Sequence, residues 1–494
     1  MMSLRPLVVG AAVAMTIAIP AQAQETQPQD GMLTPAQVSA DIALAQEAYM
    51  RIHPGYTRYT DAETLTAAWA ALNLKAETRS GLSVGEFYIG VQSVLAGIRC
   101  DHTKAELPRA IKKGRDITPV YLPFVWRVVE GRAVIENPGE TGLNFGDEIM
   151  SVNDRNFSDM MNEVRPLIPV DGDTDFVKDI HIGASFEFKG GAIDHFGALL
   201  WDIQPQARVE VKTANGARKT VTVDRIIYKD WKALVLDGKA SSDFPDSVTF
   251  NRIGDKAAYL RIDSFVNYRN PVKPDKIYDP IFKALKTEGR DTLILDLREN
   301  GGGSTDAKVR LFAHLISEKS RLVRNSRIKT LDHSGLEPYL STWDKRLLSP
   351  NPIGFKKNED GTLSLRKMFN EELKTVKPDR TAFTGKLLVL TSRSNGSATT
   401  ALLAKLQDME RATLIGEETG GSAEGTTAGV LFTLKLPESG IRTRVPIFQD
   451  FNDVSAFTPN KGVVPDILAP MTFDAFVENE DPAYAAALAL IESK

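Results

Sequence analysis

The sequence predicts a multi-domain chain of α/β class, and three textures along its 494 residues carry that prediction. Short apolar runs alternate with helical patterns from about Asp246 onward, as a largely parallel sheet with crossover helices requires. The stretch 34–110 is mostly helical in pattern, and 115–228 is rich in β-branched and aromatic residues. The hydrophobic fraction is 42% and the charged fraction 25%, an ordinary globular balance. Lys and Arg total 60 against 64 Asp and Glu, a net charge of −4. So even a balance gives no electrostatic footprint for nucleic acid or an anionic membrane. Cys100 is the single cysteine, which excludes an internal disulfide and metal sites built from several thiolates.

The first element is a leader. Arg5 precedes the apolar run Leu7–Pro20, and Ala21-Gln22-Ala23 supplies a small-x-small cleavage pattern. Residues 1–23 are expected to be a secretory signal peptide. The run is too short for a membrane span, and no later stretch approaches one, so the expected location is the periplasm or outside the cell. The next unit, 24–110, opens with a polar lead and becomes helical at Thr34, an N-cap candidate followed by Pro35 at the first helical position. The unit 115–228 contains RVEVKT and KTVTVDRI around Asn215-Gly216, a hairpin signal. The unit 245–494 has the buried-strand runs AAYLRIDSF, TLILDL, KLLVLT and ATLIG. Its residues 331–380 form a polar insertion with no assignable element.

Three segments carry possible chemistry. Leu293–Ala307 ends a buried strand in Asn300-Gly301-Gly302-Gly303 before a helix. Such a turn frees backbone N–H groups for an anion, either a phosphate or the oxyanion of a tetrahedral intermediate. It lacks the GxxxxGK[ST] pattern of a phosphate loop. Leu387–Asp408 runs from strand to turn to helix, with Ser397 at the turn between Gly396 and Ala398, where a nucleophile or a helix cap belongs. In AGIRCDHTKAELP, His102 lies between Asp101 and Thr103. It is one of six histidines, and a neutral-pH base for serine is most often histidine. No H-E-x-x-H or clustered ligand spacing argues for a metal, so no metal and no cofactor are expected.

In order and spacing, these segments resemble the tail-specific protease family, the C-terminal processing peptidases, and its tricorn-like branch. Asp296-Leu297-Arg298 with Asn300 and the glycines is similar to D-L-R-x-N-x-G-G. Ser397-Ala398 with Leu406-Gln407-Asp408 resembles the nucleophile helix. Gly416–Gly421 is similar to G-E-x-T-x-G, and Gly462–Asp466 to G-V-x-P-D. His53–Tyr56 and Asp101–Thr103 match the N-terminal part, and Gly142–Arg155 resembles a PDZ stretch. The resemblance implies a PDZ-like module before a protease core of ClpP/crotonase-like type. It implies a serine endopeptidase acting on proteins or peptide tails, with Ser397 as nucleophile. Ala398 N–H and a glycine N–H from Gly302 or Gly303 then form the oxyanion hole.

Two departures shape the mechanism. Where other branches carry a Lys in a G-K-G turn, Ser422 stands here. Lys405 is no substitute, about 12 Å along the helix axis from Ser397 at 1.5 Å per residue. The tricorn-like branch takes its base from a histidine, which points to His102. That branch also uses a Glu before G-V-x-P-D, where Thr458-Pro459-Asn460-Lys461 stands here. Asp101, Asp450 and Asp453 are the candidate acids. The alternatives are a catalytically silent peptide-binding scaffold and a protein holding an anionic ligand on the Gly-rich turn.

Overall fold

The computed structural model describes residues 31–237 and 243–492. The expected signal peptide lies outside the described residues.

Helices Pro35–Ile52, Ala62–Thr78 and Val84–Gly97 build the N-terminal unit. Their starts follow from side chains that satisfy free first-turn N–H groups. Thr34 and Gln37 form a capping box, as do Ser83 and Glu86, and Asp61 accepts from Thr64 N–H. Val38, Tyr49, Trp69 and Phe87 fill the shared core. Asp41, wholly buried, accepts the backbone N–H groups of Glu438 (3.0 Å) and Ser439 (2.8 Å), fastening this unit to the C-terminal half.

The following module is an antiparallel sheet of Val125–Val129, Arg132–Asn137, Glu148–Val152, Gln206–Lys212 and Arg218–Asp224. The hairpin at Asn215-Gly216 forms as expected, with Gly216 at φ 85°. The stretch between the third and fourth strands is helical, at Phe157–Val164, Lys178–Ile182 and Ala192–Leu200. Phe157, Met160, Met161 and Val164 there share one buried face at helical spacing.

The C-terminal half has two sheets. One runs Val248–Ile253, Ala257–Ile262, Thr292–Asp296, Lys386–Thr391, Thr413–Gly416, Ile467–Leu468, parallel after its first pair. Helices Asp275–Thr287, Thr305–Leu315 and Ser397–Asp408 pack on it over Leu293, Leu295 and Val389, the last helix contributing Leu402. The other sheet is antiparallel and centred on Thr427–Lys435 and Arg442–Asn452. Val323–Ile328 pairs with the latter. The polar insertion supplies Phe355–Lys357 and Leu363–Leu365 at one edge and Leu340–Ser341 at the other. Ala105–Glu106, from the N-terminal unit, pairs with Arg442–Thr443. Among the described residues no helix is long and apolar enough to cross a membrane.

Candidate active site

The parallel sheet places the site. Thr292–Asp296 and Lys386–Thr391 are neighbours in register, Asp296 opposite Leu390. Their C-terminal ends therefore release the Gly-rich turn and the Ser397 turn side by side, where open α/β sheets hold their ligands.

Two wholly buried asparagines join the turns. Asn395 Nδ2 donates to Leu297 O (2.6 Å) and Asn300 O (3.1 Å). Asn300 Oδ1 accepts from Thr399 Oγ1 (2.7 Å) and from Gly302 N–H (2.9 Å). A Cβ on Gly302 would lie 3.0 Å from Ser397 Cβ and 3.1 Å from Ala398 N, and Gly302 has φ 115°. A Cβ on Gly303 would strike the Phe265 backbone at 2.4 Å. Only glycine fits at either position.

Ser397 begins its helix at φ 45°, a left-handed conformation rare for serine. Strain of this kind costs about 1–3 kcal/mol and persists where the surroundings enforce it. Its hydroxyl makes no hydrogen bond among the described residues, so it does not act as a helix cap. Thr399 and Thr400 N–H donate to Gly396 O, whereas Ala398 N–H makes no hydrogen bond among the described residues and sits at the positive end of the helix dipole. Ser397, Ala398, Gly302 and Gly303 thus come together as one cluster.

His102 occupies the neighbouring loop. Gly172 N–H donates to Arg99 O, and Asp171 Oδ1 accepts Asp101 N–H at 3.0 Å. From that loop Thr174 Oγ1 donates to Gly420 O (3.0 Å). A Cβ on Gly421 would lie 3.0 Å from Ser397 N. The His102 loop therefore reaches Ser397 through residues 171–174 and the Gly420–Ser422 turn. No hydrogen bond joins His102 to Ser397 among the described residues, and His102 Nδ1 is buried without a partner there. His53, buried and bonded to Thr103 Oγ1 at 2.8 Å, holds the loop from the other side. Burial drives its pKa down to about 3, so it stays neutral.

The acid candidates separate. Asp453 is paired with Arg321 at 3.0 Å. Asp450 sits by Glu372 and Lys308, and burial pushes its carboxyl up to about 7. Asp101 lies in the His102 turn. Asp171 was not visible as a candidate from sequence: it is 3% exposed, raised by burial and by Asp101, and lowered by the His102 charge. Nothing in its local sequence signals it, because only tertiary packing brings it there.

The lysine alternatives are accounted for. Lys405 donates to Asp453 O (2.5 Å) and pairs with Asp408 at 3.2 Å. Ser422 Oγ accepts from Arg58 Nη2 (3.3 Å), and Arg58 also binds Glu424 at 2.6 Å. Arginine does not give up its proton in a protein, so Arg58 cannot replace a lysine base. Asp296 takes Tyr259 Oη (2.7 Å) and Arg298 Nη2 (2.7 Å), while Arg298 Nη1 reaches Asp481 (2.7 Å). The D-L-R residues thereby lock the sheet to the C-terminal helix.

Asp279, His314 and Asp379 form a grouping of metal-ligand type among the described residues, their ligand atoms within 4.8 Å of one another. Arg310 reaches Asp379 at 3.2 Å and already supplies positive charge there.

Comparison with known proteins agrees with this architecture. Residues 256–469 match the description of peptidase family S41. A tail-specific protease of Haemophilus influenzae (strain ATCC 51907 / DSM 11121 / KW20 / Rd) is 25% identical over 280 residues, 56% of this chain. The matched region spans only 32% of that relative. The crystal structure of mature CPAF superposes with a TM-score of 0.64 at 15% identity, covering 92% of this chain and 96% of that one. Mature CPAF complexed with lactacystin gives 0.62 at 15% identity, covering 92% and 97%. Those likenesses establish the α/β fold. The family match takes in both turns and both their strands, so the segment 256–469 that builds the site is the part of the chain similar to peptidase family S41.

Proposed function

We propose that the protein is a serine-type peptidase that hydrolyses peptide bonds of proteins or peptide tails in the periplasm or outside the cell. The observation that carries this reading is Ser397, held at φ 45° with a bare hydroxyl, against a glycine that admits no side chain.

In this reading His102 takes the Ser397 proton as Oγ attacks the scissile carbonyl, then returns it to the leaving amine. Ala398 N–H and Gly303 N–H stabilise the oxyanion. Gly303 is preferred to Gly302 because Gly302 N–H is already donated to Asn300 Oδ1. Asp171 is assigned as the positioning acid for the His102 loop, in place of Asp450 and Asp453. The sheet of 125–224 is read as a PDZ-like module that receives a peptide by strand addition.

A serine-reactive phosphonate probe should label the wild type and fail to label Ser397→Ala. His102→Gln should lower peptide hydrolysis by at least about 100-fold, the low end of a general-base contribution. Equal labelling of wild type and Ser397→Ala would remove Ser397 from the mechanism. Peptide binding without turnover, unchanged in Ser397→Ala, would establish the silent-scaffold alternative instead.

A further inference from the structure

A cavity of about 70 Å³ lies where the N-terminal unit, the β module and the antiparallel sheet meet, and Ser397 is not among its walls. Its walls include Lys104, Lys112, Arg115, Lys189 and Arg444, with Glu106 and Glu187 as the only carboxylates. Both acids are engaged. Glu106 binds Arg442 (2.6 Å) and Arg444 (2.9 Å), and Glu187 pairs with Lys104. Lys189 pairs with Asp116.

That pairing leaves Arg115 and Lys112 without an ion-pair partner among the described residues. Arg115 Nη2 donates to Asp194 O (3.2 Å) and His195 O (2.7 Å), which fix the guanidinium in place. Its Nη1 is buried and has no hydrogen-bond partner. A buried donor of a charged group left unmatched is unusual in a native structure and calls for an occupant. The other walls confirm the sign of the field. His195 is bonded through Nε2 to Tyr88 Oη (2.8 Å). Burial first, and then Arg115, Lys112, Lys189 and Lys104, hold it well below the usual imidazole range. Lys104, 3% exposed, is pushed down to about 7 by burial and then by Arg444. The acid behind Arg115, Asp194, is itself raised to about 7 by burial, so it neutralises the guanidinium only in part.

We propose that this cavity binds a small oxyanion of the phosphate type, held by Arg115 Nη1 and Lys112. The cavity is too small for a folded partner. Fixed guanidinium donors beside a flexible ammonium suit an anion with several oxygens. This inference does not depend on the peptidase reading, because its readout is binding rather than turnover.

Titration calorimetry of the full chain with inorganic phosphate, at ionic strength fixed with sodium chloride, tests it. The wild type should give saturable, one-to-one heat at millimolar phosphate. Arg115→Met should weaken binding by at least about tenfold, the loss expected for a charge-assisted contact. Helix Arg109–Asp116 buries no residue, so Lys112→Gln removes a charge without opening the core and should also weaken binding. If the wild type shows no saturable heat, or if Lys112→Gln and a folded Arg115→Met both titrate as the wild type does, the site does not exist.

Discussion

Ser397 illustrates how far single residues could be read. A serine after Gly396 at a strand-to-helix turn is visible in sequence, but its φ of 45° and its contact with Gly302 are not. Those depend on two strands whose paired residues, such as Thr292 and Lys386, are remote in the chain becoming neighbours. Asp171 is the sharper case. No motif surrounds it, yet it accepts the backbone N–H of Asp101 beside the proposed base. Asp171→Asn keeps the shape and removes the charge. A carboxylate beside an imidazole stabilises the imidazolium that forms as the base takes a proton. The substitution should therefore reduce kcat by at least about tenfold with KM little changed. An unchanged kcat would leave Asp171 a purely structural role.

Elements were legible where their pattern is local. The parallel strands are continuous apolar runs, the hairpin has Asn-Gly, and the N-terminal helices carry their own caps. The antiparallel sheet was missed because only one partner of Arg442–Asn452 is local, Thr427–Lys435, while Ala105–Glu106 and Val323–Ile328 are remote in the chain. The strands of the polar insertion have only two or three residues each, too few for periodicity to register. The joint between the two site turns was also hidden, since Asn395 looks like any turn asparagine. Asn395→Ala removes both donors to the Gly-rich turn and orphans Asn300 O and the Ser392 N–H that Asn395 Oδ1 accepts, while Leu297 O keeps the Asn300 N–H. At roughly 1–3 kcal/mol per orphaned group, it should lower the unfolding free energy by about 2–4 kcal/mol in urea denaturation. Probe labelling of Ser397 should fall with it, even where the variant remains folded.

Across the whole molecule, burial rather than pairing sets the pH response of several acids. Asp450 and Asp194 are each raised to about 7, chiefly by desolvation. A raised carboxyl contributes stability that is complete below its unfolded pKa, near 3.8, and is lost as pH rises through about 7. The Tm should therefore fall between pH 5 and pH 8. Asp450→Asn, which cannot ionise, should show a shallower fall and a higher Tm than wild type at pH 8. An Asp450→Asn curve parallel to the wild type in thermal circular dichroism would assign the pH response to other groups. Glu372 and Lys308 are the other charges in that cluster, joined at 2.8 Å. They tie the insertion to helix Thr305–Leu315, directly after the Gly-rich turn.

The pairing of Ala105–Glu106 with Arg442–Thr443 also sets an order of events during synthesis. The loop bearing His102 leaves the ribosome early, yet the strand that fastens it emerges more than 330 residues later. Contacts this distant in sequence form last. A nascent chain ending before Arg442 holds Ser397, its glycines and the His53 and Asp171 contacts of the His102 loop, but lacks the strand that fastens Ala105–Glu106 behind that loop. Pulse proteolysis of arrested chains ending at residue 440 should cut within 99–108, and the full chain should resist. Under the proposed function, the His102 side of the site therefore gains its last support only when translation is nearly finished.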